Sequence, residues 1–235
     1  MRAYCVILAG GLGSRMGGDV PKQFMSLGGV PIILRTIRRV LECAQFDKII
    51  VAIHPSWRDV LARMLNGDGI DKSRILVTSG GGERIDSILN SLKAIHEQTF
   101  VSEEDIAVIH DAVRPFVSVD VLEKSIKAAC ESGACVAVLP AVDTMLEVSD
   151  GMVVAVPSRA RIFHGQAPDS ARILLLERAI NDLSAEERRV ITGTAQILVA
   201  KGIPVRTISG DRYNMKITTP ADIEIAESFL AKGVR

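Results

Sequence analysis

The sequence predicts an α/β fold, doubly wound about a mostly parallel sheet, with a β-arm protruding from it. Three observations predict this. Short β-branched apolar runs alternate with amphipathic stretches of ten or more residues, the pattern of βαβ units. A glycine-rich stretch directly follows the first apolar run, as at the carboxyl end of a strand in a Rossmann-like sheet. The alternation breaks after Pro140, where two apolar runs flank Ser149-Asp150-Gly151, an Asp-Gly hairpin signal.

Residues 4–9 form the first expected strand, and a glycine loop follows. Residues 32–41 read as a helix whose Arg35, Arg38 and Arg39 stand off its apolar stripe. Strand 48–53, helix 57–65 and strand 75–78 come next. Helix 84–96 places Ile85, Ile88, Leu89 and Leu92 on one side, then strand 105–109, helix 119–131 and strand 134–139 follow. Residues 142–168 read as an arm that leaves the sheet, with strands over 144–148 and 152–156. An apolar arm of this kind packs on a second subunit, so a homodimer is expected. Helical patterns resume over 170–183 and 186–201, then a short strand over 205–208. A helix over 221–232 closes the chain, with Pro220 at its first turn. Residues 1–235 read as a single domain carrying the 142–168 arm.

Hydrophobic residues make up 48% of the chain and charged residues 24%, enough apolar side chain for a full core. Lys+Arg and Asp+Glu are both 28, so no basic excess marks a nucleic-acid partner, and any phosphate site must be local. Cys5, Cys43, Cys130 and Cys135 form no CxxC pair and no metal-ligand spacing; they read as buried, reduced thiols, which fits a reducing cytoplasm. The first apolar run stops at Gly10-Gly11, and no stretch approaches the roughly 20 residues needed to span a bilayer. No membrane partner is expected.

Four segments carry chemistry. Leu8-Ala9-Gly10-Gly11-Leu12-Gly13-Ser14-Arg15-Met16, closed by Pro21-Lys22-Gln23, offers backbone N–H groups for phosphate oxygens and two cations beside them. Met16 stands where a dinucleotide fingerprint requires Gly or Ala, and no Gly-Lys-Ser/Thr of a P-loop occurs. Ile109-His110-Asp111-Ala112-Val113-Arg114-Pro115-Phe116 ends a buried strand; its Asp suits Mg²⁺ or a sugar hydroxyl and its Arg a phosphate, and the two also suit each other as an ion pair. His110 reads as a packed, hydrogen-bonded residue. Gly80-Gly81-Gly82-Glu83-Arg84-Ile85-Asp86-Ser87 runs from a strand into a helix and suits backbone recognition of a base or ribose. Asn214-Met215-Lys216-Ile217-Thr218-Thr219-Pro220 can deliver a lysine to a phosphate. The arm adds Arg159, Arg161 and His164, a solvated face or a closure over an anion.

Together these segments resemble the cytidylyltransferases acting on 2-C-methyl-D-erythritol 4-phosphate and on D-ribitol 5-phosphate. The resemblance spans nearly the whole chain. His-Asp-Ala-Val-Arg-Pro-Phe and Asn-x-Lys-Ile-Thr-Thr-Pro are its most specific parts. It implies CMP transfer from CTP to a sugar-alcohol phosphate, with Mg²⁺ as cofactor, pyrophosphate as product and a homodimer clasped by the arm. It also implies site roles. The amides of Ala9, Gly10, Gly11 and Gly13 hold the triphosphate. Arg15, Lys22 and Lys216 are catalytic. Gly81 and Ser87 meet the cytidine, and Asp111 orients ribose, metal or acceptor. Arg114 and Thr144 line the acceptor side, and Arg159 reaches the acceptor phosphate across the dimer.

Several positions depart from the family pattern: Gly82, Ser158, Ala167, Asp169 and Gly193. Three details favour D-ribitol 5-phosphate as acceptor, with 2-C-methyl-D-erythritol 4-phosphate as the alternative. They are the Leu8-Ala9-Gly10-Gly11 loop, Gly165-Gln166 on the arm, and Leu183-Ser184-Ala185-Glu186-Glu187. A nucleotide-binding module without activity is a third reading, opposed by the retention of Arg15, Lys22, Asp111 and Lys216.

Overall fold

The computed structural model describes residues 1–11, 20–67 and 69–234. The chain runs β1 (Ala3–Ala9), β2 (Ser26–Leu27), β3 (Val30–Pro31), α1 (Ile32–Leu41), β4 (Phe46–Ile53), α2 (Arg58–Gly67), β5 (Ile75–Ser79), α3 (Arg84–Gln98) and β6 (Ile106–Asp111). It continues α4 (Val119–Ser132), β7 (Ala134–Pro140), β8 (Glu147–Ser149), β9 (Met152–Ala155), β10 (Phe163–Arg172), α5 (Ile173–Asn181), α6 (Ala185–Val190), α7 (Thr194–Ala200), β11 (Arg206–Ser209) and α8 (Pro220–Ala231).

A seven-stranded sheet in the order β11-β7-β10-β6-β1-β4-β5 forms the frame. Its pairs are parallel except those made by β10, which runs antiparallel between β6 and β7. Both faces are covered, so β1 is apolar at every position and its side chains divide by parity. Cys5, Ile7 and Ala9 face α1, α2 and α4, through residues such as Ile33, Ile37, Leu61 and Leu122. Tyr4 and Val6 face α3, α5 and α7, through Ile88, Leu92, Leu176 and Ile197. A smaller cluster of Leu27, Ile32, Val113, Phe116, Ile217 and Ala226 seats α8.

The chain winds outward from β1 through β4 to β5 and returns to β6 on the other side of β1. A crevice at the carboxyl ends of β1 and β6 is therefore where strand order reverses, the place where doubly wound sheets bind ligands.

The arm is smaller than expected. The hairpin β8–β9 forms around Asp150 and Gly151, both at positive φ (50° and 78°), as a tight two-residue turn requires. Residues 163–168, however, belong to β10 inside the main sheet, and β10 also takes residues 170–172 from the expected helix. The helix expected over 186–201 is two helices, α6 and α7, parted at residues 191–193. Cys5, Cys43 and Cys135 are buried, Cys130 is half-buried, and all four are free thiols. No helix among the described residues is long and apolar enough to cross a membrane.

Candidate active site

A pocket opens at the predicted reversal point. Leu8, Ala9, Gly10 and Gly11 line it from the end of β1, Asp111, Ala112 and Val113 from the end of β6, and Gly81, Gly82, Glu83, Arg84 and Ser87 from the start of α3. Lys22, Gln23 and Lys216 complete the wall. The expected site residues Ala9, Gly10, Gly11, Lys22, Gly81, Ser87, Asp111 and Lys216 thus share one cavity, while Gly13 and Arg15 lie outside the described residues.

The two glycine loops are held by identifiable contacts. Gln23 is buried, and its Nε2 donates to the carbonyls of Ala9 and Gly11, each at 2.9 Å. That explains the Gln closing the Pro-Lys-Gln turn: it clamps the loop that presents the amides. A Cβ on Gly10 would sit 3.3 Å from Ser87 Oγ, so the first loop packs closely on the second. A Cβ on Gly81 would lie 2.1 Å from Asp86 Cβ, so that position requires glycine; a Cβ on Gly82 would make only an ordinary contact, 3.8 Å from Asp86 Oδ2. Ser87 Oγ accepts from Gly81 N at 3.0 Å and donates to Glu83 O at 3.2 Å, shaping the turn. A capping box between Glu83 and Asp86 begins α3 at the pocket wall.

Asp111 is the electrostatic centre. Its carboxylate is buried and meets three cations: Arg84 Nη1 at 2.8 Å, Arg114 Nε at 3.1 Å and Lys216 Nζ at 3.1 Å. Burial opposes its ionisation, but Arg84, Lys216 and Arg114 outweigh that and hold the carboxyl well below the usual range. Asp169, also buried and within reach of the same charges, moves the other way. Burial raises it and the charge of Asp111 adds to the rise, with Arg84 opposing. His110 is fully buried, with Nε2 3.1 Å from Arg114 O, and burial lowers it to about 4; it is a neutral packed residue, as expected from sequence.

Three expected acceptor residues lie elsewhere. Arg114 is not on the pocket lining. It is buried, with Nε on Asp111 and Nη1 donating to Asn214 O at 2.7 Å, so it braces Asp111 against the segment carrying Lys216. The ion-pair reading of Asp111 and Arg114 describes its geometry. Thr144 and Arg159 are exposed on the arm, outside this chain's pocket, and Arg159 Nη1 donates to Val142 O at 2.8 Å. Two further residues shape the site: Gln23 through the loop carbonyls, and Arg84 through Asp111. Both stood inside motifs singled out in the sequence, but their partners are distant along the chain.

Asp111 is the one carboxylate of the pocket not engaged in helix capping. Among the described residues no group of three His, Cys, Asp or Glu side chains could cage a metal. This donor set fits a magnesium ion held mainly by nucleotide phosphates and by one carboxylate, the usual arrangement for that ion.

The model of the family described as IspD, 2-C-methyl-D-erythritol 4-phosphate cytidylyltransferase, matches residues 3–232. Among solved structures, the 2-C-methyl-D-erythritol 4-phosphate cytidylyltransferase of Francisella tularensis shares 30% identity with a TM-score of 0.77, over 97% of this chain and 99% of that one. The enzyme of the same description from Thermus thermophilus shares 28% identity with a TM-score of 0.71, over 99% of this chain and 100% of that one. The 4-diphosphocytidyl-2C-methyl-D-erythritol synthase of Anaerococcus prevotii superposes with a TM-score of 0.81, over 98% of this chain and 96% of that one; at 24% identity this likeness concerns the fold.

The lean toward D-ribitol 5-phosphate finds no support in these matches, and two of its three details have structural tasks outside the pocket. Gln166 is spent on backbone groups of residues 211 and 214. Ser184 and Glu187 form the capping box of α6, Ser184 N donating to Glu187 Oε2 at 2.7 Å and Glu187 N to Ser184 Oγ at 3.1 Å. Neither residue lines the pocket.

Proposed function

This chain belongs to the 2-C-methyl-D-erythritol 4-phosphate cytidylyltransferase family and is a CTP-dependent nucleotidyltransferase, and we propose that its acceptor is 2-C-methyl-D-erythritol 4-phosphate. The match of the family model over residues 3–232, reaching through the arm and the late helices, carries this reading.

In this reading a phosphate oxygen of the acceptor attacks the α-phosphorus of CTP. The bond to the bridging oxygen of the β-phosphate breaks, and pyrophosphate leaves. Both reactants are anions, so the protein's work is positioning and charge neutralisation. The amides of Ala9, Gly10, Gly11 and Gly13 hold the triphosphate. Arg15 and Lys22 neutralise the charge that develops on phosphorus and on the leaving pyrophosphate. Lys216 approaches the α-phosphate from the opposite wall, and Gly81 and Ser87 meet the cytidine. Asp111, with the nucleotide phosphates, would hold Mg²⁺, and the ion would supply further neutralisation of charge on the phosphates. Arg114 positions Asp111. The acceptor side is completed by Thr144 and Arg159 from the arm of a second copy. The exposed apolar side chains of the hairpin support such a pairing.

The test is pyrophosphate release with CTP and Mg²⁺, comparing the two candidate acceptors. A clear preference for 2-C-methyl-D-erythritol 4-phosphate is expected. A preference for D-ribitol 5-phosphate overturns the acceptor assignment, and silence with both, in protein that CTP stabilises against heat, sends the search to another polyol phosphate.

A further inference from the structure

Lys216 sits on an irregular segment, residues 210–217, that leaves β11 and crosses the top of the sheet to β6. At its start Gly210 N donates to Val138 O at 2.8 Å, and at its end Ile217 N donates to Val113 O at 2.9 Å. What fixes the span between these two anchors is Gln166 of β10. Its Oε1 accepts from Asp211 N at 3.1 Å, and its Nε2 donates to Asp211 O at 3.0 Å and Asn214 O at 3.4 Å. The amide therefore pairs with the segment as a neighbouring strand would, although no strand is there. The fit is close: a Cβ on Gly210 would stand 2.3 Å from Gln166 Oε1. Asn214 returns the contact, its Nδ2 donating to Ala167 O at 2.6 Å, and Arg114 donates to the same Asn214 carbonyl that Gln166 reaches.

Gln166 is buried, and all three of its side-chain bonds go to this one segment. Among the described residues, none of these bonds holds β10 to β6 or β7. Two residues beyond Asn214, Lys216 projects into the pocket, 3.1 Å from Asp111.

We infer that Gln166 is a positioning residue for the reaction, setting the segment from which Lys216 meets the nucleotide and linking the return strand of the arm to the CTP pocket. The inference rests on the assignment of Lys216 to the CTP phosphates, and its test does not depend on the acceptor. CTP affinity with Mg²⁺ present is measured calorimetrically in the wild type, Gln166→Leu, Lys216→Ala and the double variant. Gln166→Leu keeps the bulk and removes all three bonds. It is expected to weaken CTP by about tenfold and to change affinity less than twofold once Lys216 is Ala, because coupled residues are non-additive. A merely structural Gln166 lowers the melting temperature without this dependence on Lys216. Equal weakening in both backgrounds, or none in either, overturns the inference. So does a Lys216→Ala variant that binds CTP like the wild type. If Gln166→Leu does not fold, Gly210→Ala, which pushes the Gln166 oxygen off the segment, goes through the same cycle. A wild type that binds CTP but rejects 2-C-methyl-D-erythritol 4-phosphate defeats the acceptor assignment and leaves this comparison intact.

Discussion

Two buried carboxylates, Asp111 on the pocket wall and Asp169 behind the lining, are driven apart by their surroundings. Asp111 is surrounded by Arg84, Arg114 and Lys216 and stays ionised at any physiological pH. Asp169, buried near the same arginine but burdened by the charge of Asp111, has its pKa raised. A carboxyl raised in the folded state costs stability once it ionises. Its contribution is fully present below the ordinary 3.8 and is lost as pH rises through the folded value. Asp169→Asn is therefore expected to raise the melting temperature at neutral pH and to lose that advantage on the acid side of 3.8; an equal change at both pH values sinks the argument. The lysines make a separate prediction. Each of Lys22→Ala and Lys216→Ala removes charge stabilisation from the transition state and is expected to lower turnover by roughly 10²-fold or more. A near-normal rate of pyrophosphate release in either variant removes that lysine from the chemistry. In the second glycine loop, Gly81→Ala drives a methyl into Asp86 and is expected to abolish CTP binding, whereas in Gly82→Ala the methyl makes only an ordinary contact and the variant should bind normally. Reversal of that order in a titration with CTP would show that the loop reshapes on binding.

At the scale of elements, what the sequence revealed depended on periodicity and on local partners. Residues 32–41 form α1 as read, because Ile32, Ile33, Ile37 and Val40 repeat at helical spacing and all are buried. β10 was illegible. Phe163-His164-Gly165-Gln166-Ala167-Pro168-Asp169-Ser170 has no apolar alternation, and it is a strand because β6 and β7 pair with it on either side. The glycine loops and Asp111 were legible because motifs at strand ends converge at a reversal point, and Lys216 because it stands in a recognisable motif. The tasks of Gln23, Arg84 and Gln166 were not, since their partners lie 12 to 48 positions away along the chain. In the 183–187 stretch, a detail read as a sign of the acceptor has a local structural task. Its Ser184 and Glu187 cap α6. Ser184→Ala is thus expected to cost about 1 kcal/mol of stability, the usual value of an N-cap, with no change in acceptor preference. A switch of preference in the two-acceptor assay would show that the stretch reports on substrate after all.

At the scale of the molecule, the arm is the part that a single chain leaves unexplained. Met152, at 70% exposure, and Val148, at 58%, stand out from a two-stranded hairpin of a kind marginal by itself in water. In the proposed dimer, a second copy would cover them and bring Thr144 and Arg159 to the partner's pocket, in keeping with their place outside the pocket of their own chain. Met152→Asp should then yield monomers on sizing by light scattering, and a dimer of unchanged stability would place the interface elsewhere. Whether the arginine acts across the pair is decided by mixing variants. Let one subunit carry Arg159→Ala and the other Lys22→Ala, refolded together in equal amounts. If the arm works across a two-fold interface, each mixed dimer contains one site with both residues intact and one with neither. Half of the dimers are mixed, so activity at limiting acceptor is expected to return to about a quarter of the wild-type value. If Arg159 serves its own chain's pocket, every site in every dimer lacks one of the two residues, and mixing restores nothing.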